Sequence, residues 1–330
     1  MTNDMGATAF WVTRPGHGEL RTEAVAWSQD GEVLVEALYS GISRGTETLV
    51  YTGRVPESQR AAMRCPFQAG EFPGPVKYGY CSVGRVIEGP GELAGRTVFC
   101  LHPHQDRYVV PAAWVTPLPG GLPPGRAVLT ANMETALNGI WDAAVRPGDR
   151  VGVVGLGVVG LLAARLAAAI PGTEVLAVDL DPGKRTIAEA LDLHFATAMP
   201  AGADLDVVLH ASGHPDGLVA ALGAAGFEAT VVELSWYGST PVALPLGEAF
   251  HSKRLTIRSS QVGAIATAQR GRWSHARRLG KAMQLLRDPA LDALVDGESR
   301  FADLPATMAA LAEGRLAALC HRVRYPAAEG

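Results

Sequence analysis

The sequence has few of the features that mark secreted, membrane-spanning or nucleic-acid-binding proteins. None of its four cysteines stands in C-x-x-C spacing, so neither a disulfide framework nor a structural zinc lobe is expected. A net charge of −4 gives no reason to expect nucleic acid or a membrane surface as a partner. The apolar run 151–170 is interrupted by glycines and Arg165, and residues 1–6 carry no secretion signal. We therefore expect a cytoplasmic protein that acts on a small molecule.

A glycine-rich segment in the middle of the chain follows an apolar, β-branched run and opens an apolar helix. Gly155 permits a tight turn, Gly157 lets the backbone approach a ligand, and Gly160 lets the helix lie against the strand. The helix N-terminus offers unpaired N–H groups that suit a pyrophosphate. Asp179 stands 19 residues after Gly160, where a carboxylate can bind a ribose hydroxyl. The pattern predicts a dinucleotide site; the alternative is a glycine turn in some other βαβ unit.

The part of the chain before this segment is rich in predicted strands. The proline- and glycine-rich stretch 111–124 is the expected junction between this β-rich part and the remainder of the chain. Two helices are predicted beyond it, at 126–137 and 139–145. The predicted strands before the junction are 7–13, 19–26, 32–40, 82–88, 96–100 and 107–110.

Strands and helices alternate from 150 to 261, and the strands are nearly continuous apolar runs. This pattern is typical of a parallel sheet covered on both faces. Residues 266–330 return to helices and end in a strand-like segment, 321–325, which we expect to pack back on the N-terminal domain. The sequence therefore predicts an α/β protein with a doubly wound parallel sheet and a separate β-rich domain.

Four motifs carry a resemblance to a known superfamily. They are Ser40-Gly-Ile-Ser-Arg-Gly-Thr-Glu47, Gly79-Tyr-Cys-Ser-Val-Gly-Arg-Val86, Thr135-Ala-Leu-Asn138 and the glycine turn with its preceding Pro147-Gly-Asp. With the domain order, they resemble the medium-chain dehydrogenase/reductase superfamily, and the first two also look like bacteriochlorophyllide dehydrogenases. The resemblance implies a GroES-like substrate domain (1–121), a Rossmann domain (122–265) and a C-terminal return (266–330). It also implies a nicotinamide-dependent oxidoreductase that forms a homodimer or homotetramer.

The positions that carry the zinc ligands in this superfamily have changed. Where zinc-type relatives supply a cysteine, this sequence has Ser43 or Arg44, depending on a one-residue slip. The usual histidine is replaced by Tyr80, and a second cysteine by Ala131. An open catalytic zinc needs three protein donors, so we expect no metal site. The alternative is an unusual zinc site built from Cys81, or Cys65, with Cys100, His102 and His104.

Without zinc, a side chain must polarise or protonate the substrate oxygen. Tyr80 is the first candidate, since a phenol can donate a proton; the alternative is that it fills the space left by the metal. Arg44 could bind a carbonyl, carboxylate or phosphate, and Glu47 lies in the same motif. The alternative for Arg44 and Glu47 is an internal ion pair that holds the loop.

Two further groups are candidates for proton transfer. Glu134 precedes Thr135 on a predicted helix and could act as an acid–base group, or it could be a carboxylate on the helix surface. His102 and His104 are expected to titrate near neutral pH and to pass a proton to solvent.

The predicted cofactor contacts lie at the glycine turn and at the carboxyl ends of the strands, where doubly wound sheets bind nucleotides. An aspartate at 179 without an adjacent arginine favours NAD(H), with NADP(H) as the alternative. Trp236, with Tyr237, could instead stack on a flat substrate or form a dimer contact. The predicted cofactor residues are Thr135, Gly155, Leu156, Gly157, Val158, Val159, Gly160, Asp179, Ser212, Ser235, Trp236 and Gln261.

These patterns together predict a zinc-independent oxidoreductase that moves hydride between nicotinamide and an alcohol/carbonyl pair or an activated double bond. A zinc-dependent alcohol dehydrogenase with an unusual Cys/His site is the second hypothesis. A protein that binds a dinucleotide without catalysis is the third, because it would tolerate the loss of every ligand.

Overall fold

The computed structural model describes residues 3–27, 31–200 and 202–326. The chain divides into two compact units, the first formed by Met1–Ala131 with Met283–Gly330 and the second by Asn132–Ala282. These divisions come later in the chain than the expected domain boundaries at 121 and 265.

The first unit begins with β-strands, as its alternating and β-branched segments predict. Within the described ranges these strands come before a short helix, α2 (Pro124–Ala127). The motif at 40–47 does not form a loop, because the helix α1 (Arg44–Tyr51) begins directly after Ser43. The strands are β1 (Asn3–Arg14), β2 (His17–Trp27), β3 (Glu32–Ile42), β4 (Ala69–Gly70), β5 (Val76–Lys77), β6 (Ser82–Glu88), β7 (Thr97–Cys100), β8 (Arg107–Pro111) and β9 (Val115–Pro117).

The helix α3 (Thr130–Ala143) corrects one prediction, since the sequence favours two helices here. Gly139 suggests a break between them, but a glycine inside a helix costs only about 1 kcal/mol. Its missing side chain makes room for Leu234, whose Cδ2 would lie 2.8 Å from a Cβ at this position. The glycine therefore serves packing and does not end the helix.

The second unit contains the predicted alternation of strands and helices. Short connections join most strands to the helix that follows, and the central strands are apolar and buried, whereas the last strand, Thr256–Ser259, is largely exposed. In chain order the elements are β10 (Arg150–Val154), α4 (Val158–Ala168), β11 (Glu174–Val178), α5 (Lys184–Ala190), β12 (His194–Ala196), β13 (Leu205–His210), α6 (Pro215–Ala224), β14 (Ala225–Glu233), β15 (Thr256–Ser259) and α7 (His275–Leu285).

These strands form one parallel sheet, which confirms the predicted α/β class. Within the described ranges the strand order is β12-β11-β10-β13-β14-β15, and all neighbouring pairs run parallel. This is the order of a doubly wound sheet. The direction of winding reverses between β10 and β13, so a crevice is expected at the carboxyl ends of these two strands.

The C-terminal segment completes the first unit. It contributes β16 (Gly297–Arg300), α8 (Leu304–Ala312) and β17 (His321–Arg324). β17 pairs antiparallel with β3, and Val323 lies opposite Ser40. The strand that the sequence predicts at the end of this segment therefore joins a sheet of the first unit.

The first unit holds two sheets in the part of the chain that the structure describes. One has the order β2-β1-β5-β4, and the other β16-β17-β3-β6-β7-β9, with β8 also paired to β3. A core cluster that includes Val33, Val86 and Tyr108 packs on the second sheet. Among the described residues, none of the helices combines the length and the apolar character that crossing a bilayer demands.

Candidate active site

The glycine turn after β10 has the geometry that a bound dinucleotide requires. Gly155 has a φ of +94°, and a Cβ there would collide with the backbone of Ser212. A Cβ at Gly160 would collide with the carbonyl oxygen of Gly155, so the helix lies as close to the strand as predicted. A Cβ at Gly157 would meet nothing within 4 Å, which leaves open space in front of this backbone.

The N-terminus of α4 points into the same region. Its first residues are Val158 and Val159, and no side chain caps the helix at Gly157. Unpaired amides at a helix N-terminus attract phosphate groups. The uncapped helix and the open face of Gly157 together fit the pyrophosphate of a dinucleotide.

Asp179 follows β11 and lies at the same turn, but it already has protein partners. Its Oδ2 accepts the Leu156 amide at 2.7 Å, and its Oδ1 accepts the Asp181 amide at 2.9 Å. In this structure the Leu156 amide is therefore bound to Asp179, and its contact with a pyrophosphate stays a prediction. Leu180, which the sequence did not single out, is 84% exposed beside Asp179. A large exposed apolar side chain at this place suits contact with a base.

The ends of β13 and β14 carry a hydrogen-bonded cluster that the sequence did not predict. His210 Nε2 lies 2.6 Å from Ser212 Oγ, and His210 Nδ1 lies 2.8 Å from Glu233 Oε2. Tyr237 donates to Glu233 at 2.9 Å, and the Ser235 amide donates to the same carboxylate at 2.7 Å. The strand-end positions of Ser212 and Ser235 are visible in the sequence, but no local signal pairs His210 with Glu233.

The remaining predicted cofactor residues occupy separate places in the second unit. Trp236 is half-buried in the loop after β14, and its neighbour Tyr237 faces the His210 ring, with centroids 6.4 Å apart. Tyr237 thus belongs to the His210–Glu233 cluster, and stacking of the Trp236–Tyr237 pair on a substrate stays a prediction. Gln261 is exposed and accepts the Gly263 amide at 2.7 Å, and Thr135 is half-buried on α3.

Tyr80 in the first unit lies against Ser43, one of the two residues that could stand at the family's cysteine position. Its hydroxyl donates to Ser43 Oγ at 2.6 Å. Burial, followed by the nearby Cys81 and Glu47, raises the pKa of Tyr80 well above its usual value. The phenol therefore keeps its proton at neutral pH and acts as a hydrogen-bond donor.

A buried hydrogen-bond network lies on the other side of Ser43. Glu47 Oε1 accepts the Ser43 amide at 2.8 Å, and Glu47 Oε2 lies 2.8 Å from His104 Nε2. The other nitrogen of His104 is 2.7 Å from Ser40 Oγ, which is 3.0 Å from the Tyr325 hydroxyl. A carboxylate can only accept, so Nε2 of His104 carries the hydrogen in this arrangement. The network fills the interior beneath α1.

Gly79 lets His104 occupy its place. It has a φ of +140°, and a Cβ there would lie 3.1 Å from Cδ2 of His104. Glycine is the residue that adopts this backbone region freely. The glycine of the Gly79-Tyr-Cys motif therefore makes room for the ring of His104, which comes later in the chain.

Arg44 points away from this network. It is exposed, and its guanidinium donates to the Ala318 carbonyl at 3.1 Å. Since Glu47 is bound by His104 and Ser43, the alternative of an Arg44–Glu47 ion pair is wrong for the residues that the structure describes. Arg44 lies on the first turn of α1. Its catalytic role stays a prediction.

His102 does not titrate near neutral pH as expected. Its ring is buried and stacks on Tyr108, with centroids 3.8 Å apart, and its Nδ1 lies 3.0 Å from the Pro103 carbonyl. Burial lowers the pKa of His102 to about 3. A neutral buried ring has no proton to pass to solvent, which removes the reason for placing His102 in catalysis.

Replacing His102 with phenylalanine should make the free energy of unfolding less dependent on pH. The unfolded chain binds a proton near the ordinary pKa of 6.5, whereas the folded chain does so only near 3. The stability that the neutral ring contributes is thus fully present above about pH 6.5 and is lost as the pH falls toward about 3. Between pH 7 and pH 5, urea unfolding should show the wild type losing about 2 kcal/mol more than His102→Phe. Equal losses in both proteins would contradict this account.

Glu134 is buried, so the alternative of a carboxylate on the helix surface is wrong. Its Oε1 lies 3.0 Å from Arg278 Nε, and Arg278 also donates to Asn138 at 2.9 Å. Burial raises the pKa of Glu134 above its usual value, although the nearby Arg278 opposes this shift. The ion pair gives Glu134 a structural role within the second unit, and its acid–base role stays a prediction.

The alternative zinc donors are not gathered in one place. Within the described ranges, no group of three or more His, Cys, Asp or Glu side chains could hold a metal ion. Cys100 belongs to the apolar core cluster, and burial raises the pKa of its thiol to about 12. His104 uses both ring nitrogens in the Ser40–Glu47 network. The residues present do not fit the zinc site of the second hypothesis.

The chain is similar to known dehydrogenases over most of its length, although no family model matches it. It is 26% identical over 254 residues to the D-guloside 3-dehydrogenase of Escherichia coli, an alignment that covers 70% of this chain and 72% of that protein. It is 29% identical over 265 residues to the 2-desacetyl-2-hydroxyethyl bacteriochlorophyllide A dehydrogenase of Rhodobacter capsulatus, covering 73% of this chain and 77% of that protein.

Solved structures match the fold over nearly the whole chain. The L-idonate 5-dehydrogenase of Escherichia coli superposes with a TM-score of 0.81 at 15% identity, covering 98% of this chain and 99% of that one. A Sinorhizobium meliloti protein whose structure holds NADP gives a TM-score of 0.76 at 17% identity, covering 97% of this chain and 99% of that one. The acetophenone reductase of Geotrichum candidum in complex with NAD gives 0.77 at 16% identity, covering 97% of both chains.

These likenesses confirm the resemblance to the medium-chain dehydrogenase/reductase superfamily and its Rossmann plus GroES-like architecture. The chain is an oxidoreductase of the dehydrogenase type. Two of the solved neighbours hold NADP or NAD, which supports a nicotinamide cofactor as the class.

Proposed function

We propose that the chain is a zinc-independent dehydrogenase that prefers NAD(H) and interconverts an alcohol and a carbonyl in a small molecule. The observation that carries the proposal is the Tyr80–Ser43 hydrogen bond at positions where zinc-type relatives supply metal ligands. Serine, tyrosine and Ala131 offer no thiolate or imidazole there, so these positions do not fit zinc. A protonated phenol can polarise a carbonyl oxygen instead.

The residues of the second unit would hold the cofactor. A nicotinamide dinucleotide supplies or accepts the hydride when it is bound. The amides at the start of α4 would bind its pyrophosphate, and Asp179 would bind a ribose hydroxyl in place of the Leu156 amide. A 2′-phosphate would face the Asp179 carboxylate, which favours NAD(H) over NADP(H).

Tyr80 would bind the substrate oxygen. Its raised pKa keeps the proton on the phenol, so it would donate a hydrogen bond to a carbonyl during reduction. Ser43, which accepts from Tyr80 in the structure, would stay beside it and could replace a transferred proton. The buried Glu47–His104 pair holds the Ser43 amide and so fixes the position of that serine.

The names of the relatives favour a polyol or another sugar-derived alcohol as the substrate. D-guloside and L-idonate are the substrates named for two of them. We also propose a cytoplasmic homodimer or homotetramer with neither nucleic acid nor membrane as a partner, on the strength of the family resemblance and the net charge of −4.

Metal analysis and dinucleotide titration of the purified protein would test this proposal. We expect far less than one zinc per chain, and NADH binding at least about tenfold tighter than NADPH binding by nicotinamide fluorescence. Gly157→Ala should weaken NADH binding by about tenfold or more, because its Cβ would fill the open face of the turn.

The matched control is Gly271→Ala, whose Cβ also meets nothing within 4 Å but lies outside the turn. It should bind NADH like the wild type. One tightly bound zinc per chain would overturn zinc independence, and failure to bind either dinucleotide would overturn the cofactor site.

A further inference from the structure

We propose that Ser212, His210 and Glu233 form a second catalytic site, in which the Ser212 hydroxyl attacks small carboxylic esters. The three residues lie at the carboxyl ends of neighbouring strands. His210 is the last residue of β13, Glu233 is the last residue of β14, and Ser212 is in the turn between β13 and α6. The proposal does not rest on hydride transfer, because that reaction needs no nucleophilic hydroxyl, although Ser212 is also one of the predicted cofactor contacts.

The distances follow the order nucleophile, base and carboxylate. Ser212 Oγ is 2.6 Å from His210 Nε2, and His210 Nδ1 is 2.8 and 2.9 Å from the two oxygens of Glu233. A hydroxyl within reach of an imidazole that a third group orients is the signature of an activated serine. Such triads are recognised by geometry and roles and occur on unrelated folds.

The partners of Glu233 decide which nitrogen of His210 carries hydrogen. The carboxylate accepts from the Ser235 amide at 2.7 Å and from the Tyr237 hydroxyl at 2.9 Å. Burial and the adjacent Glu233 raise the pKa of Tyr237, so this hydroxyl remains a donor. Because a carboxylate only accepts, Nδ1 of His210 donates to it and Nε2 is free to accept the Ser212 proton.

The exposure of the three groups matches their roles. The His210 side chain is 0% exposed and that of Glu233 is 12% exposed, whereas Ser212 is exposed to solvent. Ser212 Oγ also accepts the His214 amide at 3.1 Å, so a substrate would approach the hydroxyl from the solvent side of this turn, while the base and its carboxylate stay in a low-dielectric interior. Burial of the base and the carboxylate strengthens their interaction.

Ser212 stands in a strand-to-helix turn, as the serine of a nucleophile elbow does. The left-handed residue of this turn is Gly213, with a φ of +69°, and not Ser212 itself. In nucleophile elbows the amide after the serine helps to bind the oxyanion. Here the Gly213 amide donates to Ser235 Oγ at 3.0 Å, and rotation of that side chain frees it for a substrate oxygen.

The reaction needs only the ester and water. Ser212 Oγ forms a bond to the carbonyl carbon while its proton passes to His210 Nε2. The ester C–O bond then breaks, and the alcohol leaves with the proton from His210. Water attacks the acyl-serine with His210 again as base, which releases the carboxylic acid and restores the serine.

Active-site labelling tests the proposal on the full-length protein without added dinucleotide. A fluorophosphonate reacts when a serine oxygen displaces fluoride from phosphorus, and mass spectrometry of peptides identifies the serine. We expect an adduct on Ser212 and none on Ser252, an exposed serine of the same unit whose hydroxyl contacts the Glu248 carbonyl and no imidazole. No adduct on Ser212, or equal labelling of Ser252, would overturn the proposal.

Variants and turnover complete the test. Hydrolysis of p-nitrophenyl acetate should be lost in Ser212→Ala, and labelling should slow by at least about 100-fold in His210→Gln. Glu233→Gln should lower kcat by about tenfold or more with little change in KM, as expected for a positioning residue. Circular dichroism and thermal unfolding check that each variant is folded. If labelling of Ser212 is unchanged in folded His210→Gln, the proposal that His210 activates Ser212 is wrong. This conclusion does not depend on the outcome of the NADH titration.

Discussion

Tyr80→Phe should lower kcat/KM for the alcohol/carbonyl reaction by about 10²–10³-fold, which is the usual effect of removing one hydrogen bond to a developing oxyanion. The substitution keeps the ring and removes only the hydroxyl that donates to Ser43. If the Tyr80 phenol replaces the metal, no other side chain in the motif that begins at Gly79 can polarise the substrate oxygen equally well. The loss should appear in kcat, because the bond is strongest in the transition state.

The assay follows NADH absorbance with a panel of sugar-derived alcohols, sugar acids and aryl ketones. Tyr78→Phe is the matched control, since Tyr78 is a buried tyrosine two positions away whose hydroxyl donates to the Met63 carbonyl at 3.1 Å. We expect the control to retain activity within about threefold. Activity of Tyr80→Phe at the level of the control would assign Tyr80 to space filling. NADH binding without turnover of any member of the panel would favour the non-catalytic hypothesis.

His104→Ala should cost about 3–5 kcal/mol of unfolding free energy, because it leaves the Glu47 carboxylate buried without its imidazole partner. The two side chains are only 1% and 4% exposed, so water cannot replace the lost hydrogen bond. The substitution also removes a partner of Ser40 and opens a cavity beneath α1. Urea unfolding would measure the change, with His17→Ala, an exposed histidine of the same unit, expected within about 0.5 kcal/mol of the wild type.

A double-mutant cycle separates the cost of leaving the Glu47 carboxylate without a partner from the cost of the cavity. In Glu47→Gln the side chain keeps its shape but loses its charge, so His104→Ala should cost distinctly less in that background. A coupling energy of about 1 kcal/mol or more is expected. If the cost of His104→Ala is the same in both backgrounds, the cavity accounts for the loss and the charge does not.

The features that sequence predicted well are local ones. The glycine turn, the following helix and Asp179 lie within one βαβ unit, and each glycine meets the obstacle or the open space that its role requires. The strand pattern also predicted the parallel sheet, since each strand is a short apolar run between turn residues. In these cases the residues that determine a structural element lie within a few tens of residues of that element in the sequence.

The features that sequence missed depend on contacts between distant residues. Ser40 bonds to His104, which is 64 residues away, and to Tyr325, which is 285 residues away. Nothing near His104 distinguishes it from a surface histidine, so the expectation that it passes a proton to solvent was reasonable from sequence. The Glu47–His104 pairing explains why the Arg44–Glu47 ion pair does not form. His210 and Glu233 likewise meet only because β13 and β14 are neighbours.

The pairing of β17 with β3 has a consequence for synthesis on the ribosome. The first unit begins the chain, yet its sheet includes a strand that emerges after the whole second unit, and Tyr325 then bonds to Ser40. The second unit, continuous in sequence, can fold as soon as it has left the exit tunnel, because domains generally fold as units during translation. The first unit must wait with an open sheet edge and a partly exposed polar interior. It is this unit that a chaperone would need to protect during synthesis.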